Sequence, residues 1–157
     1  VADYRNGGRP DGANAQAMVG KSKRGEVALR LFARINPETR AIEAAGFKTR
    51  GCLAMTGCAS ATCAMIEGRT LEEALALTTD EVRAAVGGVP AGKANTLTFS
   101  VEAVRALVGD FLVREGADLA ALDAAVPCSP YGVECLMCEH CSLRDTRNDL
   151  LMKSLEE

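Results

Sequence analysis

From Val27 to Ile35 the chain alternates, with Val27, Leu29, Leu31, Ala33 and Ile35 on one side and Arg30, Phe32 and Arg34 on the other. Period two over that length is the pattern of a half-buried strand. Asn36-Pro37-Glu38 reads as a turn, because proline fixes φ and gives no ladder hydrogen bond. Ile42 to Thr49 reads as a second strand, antiparallel to the first. After Gly51-Cys52 the alternation never returns, and every later patterned stretch has a helical period. Strands first and helices after restrict the chain to an α+β fold, a small antiparallel sheet packed against several helices. Residues 1–24, rich in Gly, Asn, Arg and Lys, read as an irregular lead-in.

Local signals mark the helices. Ala54 to Glu67 is dense in Ala and Met and stops at Gly68, a C-cap residue. Thr70 with Glu73, and Thr78 with Glu81, have the spacing of capping boxes that open two short helices. Gly87-Gly88, Pro90 and Gly92 form a loop. The long helix after it runs to about Glu115, with Leu97, Val101, Val104, Leu107, Val108, Phe111 and Leu112 as its apolar stripe. Asp118 to Ala125 reads as a short helix and Asp145 to Leu155 as a polar one, with Asp145, Arg147, Asp149 and Lys153 on a solvated face.

The chain of 157 residues is most simply one domain with a real core. At 4% aromatic residues and no Trp, that core must be aliphatic. A net charge of -3 without a long basic run argues against nucleic acid. No stretch approaches the roughly 18–20 apolar residues of a membrane helix, and no signal peptide opens the sequence. Seven cysteines, an odd count, do not suggest a disulfide framework. A reducing cytoplasm is the expected setting.

Four of those cysteines, Cys128, Cys135, Cys138 and Cys141, lie within fourteen residues as C-x6-C-x2-C-x2-C. A two-residue gap lets one turn aim two sulfurs at a common point, and thiolates select zinc or iron–sulfur clusters over hard cations. Zinc ribbons usually place two C-x-x-C knuckles on separate hairpins. The tight triple run favours a [4Fe–4S] cluster, with zinc as the alternative, although the ferredoxin pattern carries its fourth cysteine downstream. His140, the only histidine, sits inside the run as a solvated neighbour or a substitute ligand.

From about Val19 to Leu112 the order of residues resembles the IscU/NifU family of iron–sulfur scaffold proteins. Phe47-Lys48-Thr49-Arg50-Gly51-Cys52 is similar to the family's FKxxGC, and Gly68-Arg69-Thr70-Leu71-Glu72-Glu73-Ala74 to its GKSLDEA. Val89-Pro90-Ala91-Gly92-Lys93 stands where the family has LPPVK, and Glu102 to Leu107 resembles the helix after it. Tyr4 and Asn6 echo the family's HYxNPRN start. The resemblance implies an IscU-like domain over residues 1–116; it does not cover the four-cysteine tail, and residues 117–157 are expected to be a cysteine-rich metal-binding extension packed on that domain.

Family members hold a transient cluster on three cysteines with a nearby His or Asp. Carried over residue by residue, that set is mostly missing here. The CGD motif falls on Arg24-Gly25-Glu26, the second cysteine survives as Cys52, and the HC pair falls on Asn95-Thr96. One thiolate with Glu26 as a carboxylate does not supply the four strong donors a cluster needs. Loss of the double proline in 89–93 also argues against the family's dedicated chaperone. Cys58 and Cys63 lie five residues apart, about 140° around a helix, and read as small buried thiols in preference to relocated ligands.

Three functions follow. The favoured one is a cluster carrier or scaffold-like protein in iron–sulfur assembly, not an enzyme, its cluster on Cys128, Cys135, Cys138 and Cys141. Its partner is a cysteine desulfurase as sulfur donor or an apo client protein. The second is a zinc-stapled module that docks the desulfurase. The third is a sulfur relay through Cys52, whose thiolate a helix N-terminus with Lys48 and Arg50 would favour.

Overall fold

The structure is a computed structural model, and it describes residues 7–21, 27–49, 53–93, 95–126 and 142–156. Three strands, β1 (Ala15–Lys21), β2 (Val27–Ile35) and β3 (Ile42–Thr49), form an antiparallel sheet in sequence order. Six helices follow: α1 (Leu53–Ile66), α2 (Leu71–Leu75), α3 (Thr79–Val86), α4 (Asn95–Arg114), α5 (Leu119–Ala125) and α6 (Ser142–Glu156). The α+β expectation holds for these elements.

Register explains the sheet's two faces. Ala17, Leu31 and Phe47 stand side by side on the inner face, as do Ala15, Ala33 and Ala45, and all six are buried. The outer face carries the row Met18, Arg30 and Lys48 and the row Gln16, Phe32 and Gly46. α4 lies across β1 and β2 while α1 covers β3 and packs on α4. Leu97, Val104, Leu107, Val108 and Phe111 of the expected α4 stripe are buried, whereas Val101 and Leu112 are only partly so.

β1 corrects the reading of residues 1–24 as wholly irregular. Ala15, Ala17 and Val19 do alternate, but two of the three are alanines, which carry little strand preference. Pairing with β2 and packing under α4 make the strand. Both sheet edges are covered. On β1, the outward N–H of Gln16 donates to Asp110 Oδ2 (2.9 Å) and that of Met18 to Ser142 Oγ (3.0 Å). On β3, the Gly8 N–H donates to the Phe47 carbonyl at 2.7 Å. Satisfied edges do not template further strands.

Both capping boxes form, Thr70 with Glu73 and Thr78 with Glu81. α3 ends on Gly87 in the left-handed region at φ 76°. α6 starts at Ser142, three residues before its expected first residue. Its Arg147 is no free surface charge, since it forms an ion pair with Asp123 of α5.

Candidate functional site

The resemblance directs attention to the end of the sheet where β3 hands over to α1 and where α4 begins. Thr49 Oγ1 at the end of β3 lies 2.9 Å from Thr56 Oγ1 of α1, tying strand to helix. Two residues further on, the Cys58 thiol lies 3.5 Å from Thr96 Oγ1 in the first turn of α4. Thr96 donates its own hydroxyl hydrogen to the Lys93 carbonyl at 2.7 Å. The thiol therefore supplies the hydrogen to Thr96. Around this pair, Thr62 Oγ1 donates to the Cys58 carbonyl (2.7 Å) and Ser100 Oγ to the Thr96 carbonyl (2.9 Å). Cys58, Thr62, Thr96 and Ser100 are all buried, so a small closed polar network joins α1 to α4.

Cys63 is fully buried as well, and burial, with Glu67 adding to it, pushes its thiol far above the ordinary range. Such a thiol stays protonated and is neither nucleophile nor ligand. Cys58 and Cys63 are packing residues, as expected for small apolar thiols.

The other sequence candidates, Arg24, Glu26, Cys52, Cys128, Cys135, Cys138, His140 and Cys141, lie outside the described residues. Val126, just after α5, is buried, and so is Leu143 at the start of α6. Both reach the same point on α4. A methyl at Gly109 would lie 3.9 Å from Val126 Cγ2, 2.6 Å from Leu143 Cδ1 and 3.3 Å from Leu122 Cδ1. Sequence reasoning missed these three partners. The one signal was a glycine inside a strongly helical stretch, which marks close approach.

Among the described residues no group of three or more His, Cys, Asp or Glu could hold a metal ion. A cleft of about 630 Å3 between α5 and α6 is lined, among the described residues, by Asp118, Asp123 and Lys153 with apolar neighbours. No helix among the described residues is long and apolar enough to cross a membrane.

Residues 2–118 match the NifU-like N terminal domain family. The chain belongs to that family. It is 30% identical over 112 residues to the iron-sulfur cluster assembly scaffold protein IscU of Aquifex aeolicus, an overlap covering 71% of each chain. To the nitrogen fixation protein NifU of Azotobacter chroococcum it is 33% identical over 107 residues, 68% of this chain but only 34% of that one. The NifU of Azospirillum brasilense is 31% identical over 137 residues, 86% of this chain and 44% of the relative. The chain thus spans about a third to under a half of these NifU proteins.

The resemblance puts Thr96 where the family has the cysteine of its HC pair. Its oxygen is buried and committed to the Lys93 carbonyl and the Cys58 thiol. A neutral hydroxyl does not replace an iron-bound thiolate. Of the positions that the resemblance points to, Thr96 is among the described residues and offers a hydroxyl, not a thiolate.

Proposed function

We propose that this chain is a divergent member of the scaffold family that carries an iron–sulfur cluster, [4Fe–4S] in type, on Cys128, Cys135, Cys138 and Cys141. The IscU-like domain, residues 1–116, serves as platform and residues 117–157 as the metal-binding extension. The observation that carries this reading is Thr96, a buried hydroxyl bonded to the Lys93 carbonyl and the Cys58 thiol, where the resemblance places a family thiolate. With Cys58 and Cys63 buried as packing groups, the tail quartet and Cys52 are the remaining thiols of the seven. Four thiolates complete a cluster and one does not.

The role is that of a carrier and not of an enzyme. A cysteine desulfurase supplies sulfur or an apo client receives the cluster, in a reducing cytoplasm. The test is anaerobic purification followed by iron, sulfide and zinc analysis. Brown protein with a broad band at about 400 nm, lost on replacing the four tail cysteines by serine, is the expected outcome. Colourless protein with one tightly held zinc would make the tail a structural staple on a desulfurase-docking module. Sulfur transfer abolished by Cys52→Ala with the tail intact would point instead to a relay.

A further inference from the structure

The outer face of the sheet divides into a covered row and an open one. The lead-in lies over Gly46, where a methyl would meet the Gly8 carbonyl and Pro10 Cδ, and Phe32 beside it is buried. One row along, Met18, Arg30 and Lys48 stand abreast, Met18 partly buried and both cations exposed. Arg30 and Lys48 are register partners, so two positive charges face each other across adjacent strands. Like charges directly opposite destabilise a sheet. Among the described residues neither cation forms an ion pair. Arg34, further along β2, is the contrast: its Nε lies 3.4 Å from Glu43 Oε1, and its Nη1 donates to the Asp11 carbonyl at 3.0 Å.

We infer that the row Met18, Arg30 and Lys48 docks an acidic segment of a partner protein, its carboxylates paired with the two cations. A carboxylate set between them replaces repulsion by attraction on both sides, and the Arg30 guanidinium offers a planar fork for it. The patch is two charges wide, because the next cation along β2, Arg34, is already committed to Glu43. That width suits a pair of carboxylates better than a run of phosphates. The net charge of -3 also opposes a long polyanion. α1 and α4 pack on the other side of the sheet, so this surface is separate from the joint at Thr96. It needs none of the four tail thiols.

The experiment is fluorescence anisotropy of the full chain with a fluorescein-labelled heptapeptide of alternating glutamate and threonine. Saturable binding at about 10 mM salt that weakens severalfold at about 150 mM is expected, because salt screens exposed charges. Arg30→Gln combined with Lys48→Gln is expected to weaken binding about fivefold. Lys153→Gln, the same loss of a positive charge at the cleft between α5 and α6, is expected to leave it unchanged. Lys48→Glu is expected to abolish binding and to raise the urea midpoint, since opposite charges then face each other across the strands. Wild type that does not bind the peptide, or a double variant that binds it equally well, overturns the proposal. So does an equal weakening by Lys153→Gln. Tighter binding of a single-stranded oligonucleotide of equal charge also overturns it, by making the row a phosphate surface. Should the double variant fail to fold by far-UV circular dichroism, Lys48→Gln alone carries the test, and unchanged affinity there overturns the proposal.

Discussion

The Cys58 thiol donates to Thr96 Oγ1 across 3.5 Å, linking the middle of α1 to the first turn of α4 where the family places a cluster ligand. The contact is buried on both sides. Thr96 is part of the joint between two helices.

Thr96→Val keeps the shape and removes the hydroxyl, leaving the Lys93 carbonyl and the Cys58 thiol without it. A buried neutral hydrogen bond contributes about 1 kcal/mol, so urea unfolding is expected to show a loss of that size. Cys58→Ala is expected to cost about 1–2 kcal/mol through the small cavity it leaves. The double variant should lose less than the sum, since both single changes break one contact. Full additivity would show that the pair is not coupled.

Thr96→Cys restores the family's thiol at this position. It is not expected to give a cluster there, because the resemblance puts Arg24, which is no thiolate, at the family's first cysteine. The decisive background has the four tail cysteines replaced by serine. Anaerobic reconstitution of Thr96→Cys in that background should give no band at about 400 nm. Its appearance would show that the ancestral site is one residue from function.

Cys63 predicts a stability loss in alkali. Burial raises its pKa from an ordinary 9.0, so the folded thiol holds its proton where the unfolded one releases it. The favourable contribution is complete below pH 9 and is lost as pH rises above it. The slope is at most about 1.4 kcal/mol per pH unit for one proton. Urea midpoints at pH 8, 9 and 10 should fall more steeply for wild type than for Cys63→Ala. Parallel lines would mean that the thiol ionises alike in both states.

What the sequence disclosed depends on the range of each interaction. The boxes at Thr70 and Thr78 close within three residues, and both were legible to the residue. β2 was legible because its inner face buries Leu29, Leu31, Ala33 and Ile35 at period two. β3 followed from the turn before it, since its own burial does not alternate: Ala45, Gly46 and Phe47 are buried in succession. β1 was not legible, because Ala15 and Ala17 gain their place only from Leu31 and Ala33 opposite. The burial of Cys58 could be read from residue type and helical spacing. Its partnership with Thr96, 38 residues away, needed the packing of α1 on α4. The hydrogen bond from Met18 to Ser142 spans 124 residues and leaves no local trace.

Gly46 gives the sharpest test of how the sheet is finished. It lies inside β3, where glycine weakens a strand and usually marks a close backbone approach. Here the approach is the lead-in: Gly7 bridges Phe47, and the Gly8 N–H donates to the Phe47 carbonyl at 2.7 Å. A methyl at Gly46 would collide with the Gly8 carbonyl oxygen and lie 2.9 Å from Pro10 Cδ. The first obstacle is backbone, which cannot rotate away as a side chain would. Gly46→Ala must therefore push residues 7–10 off the outer face. Phe32, the neighbour of Gly46 in the register, is only 7% exposed on that face and would gain solvent. Overpacking of this kind costs about 1–3 kcal/mol, set against a small gain in strand preference. The expected result is a lower urea midpoint with faster proteolysis between residues 7 and 14. Unchanged stability and unchanged cleavage would mean that the lead-in contributes nothing to the sheet it lies on.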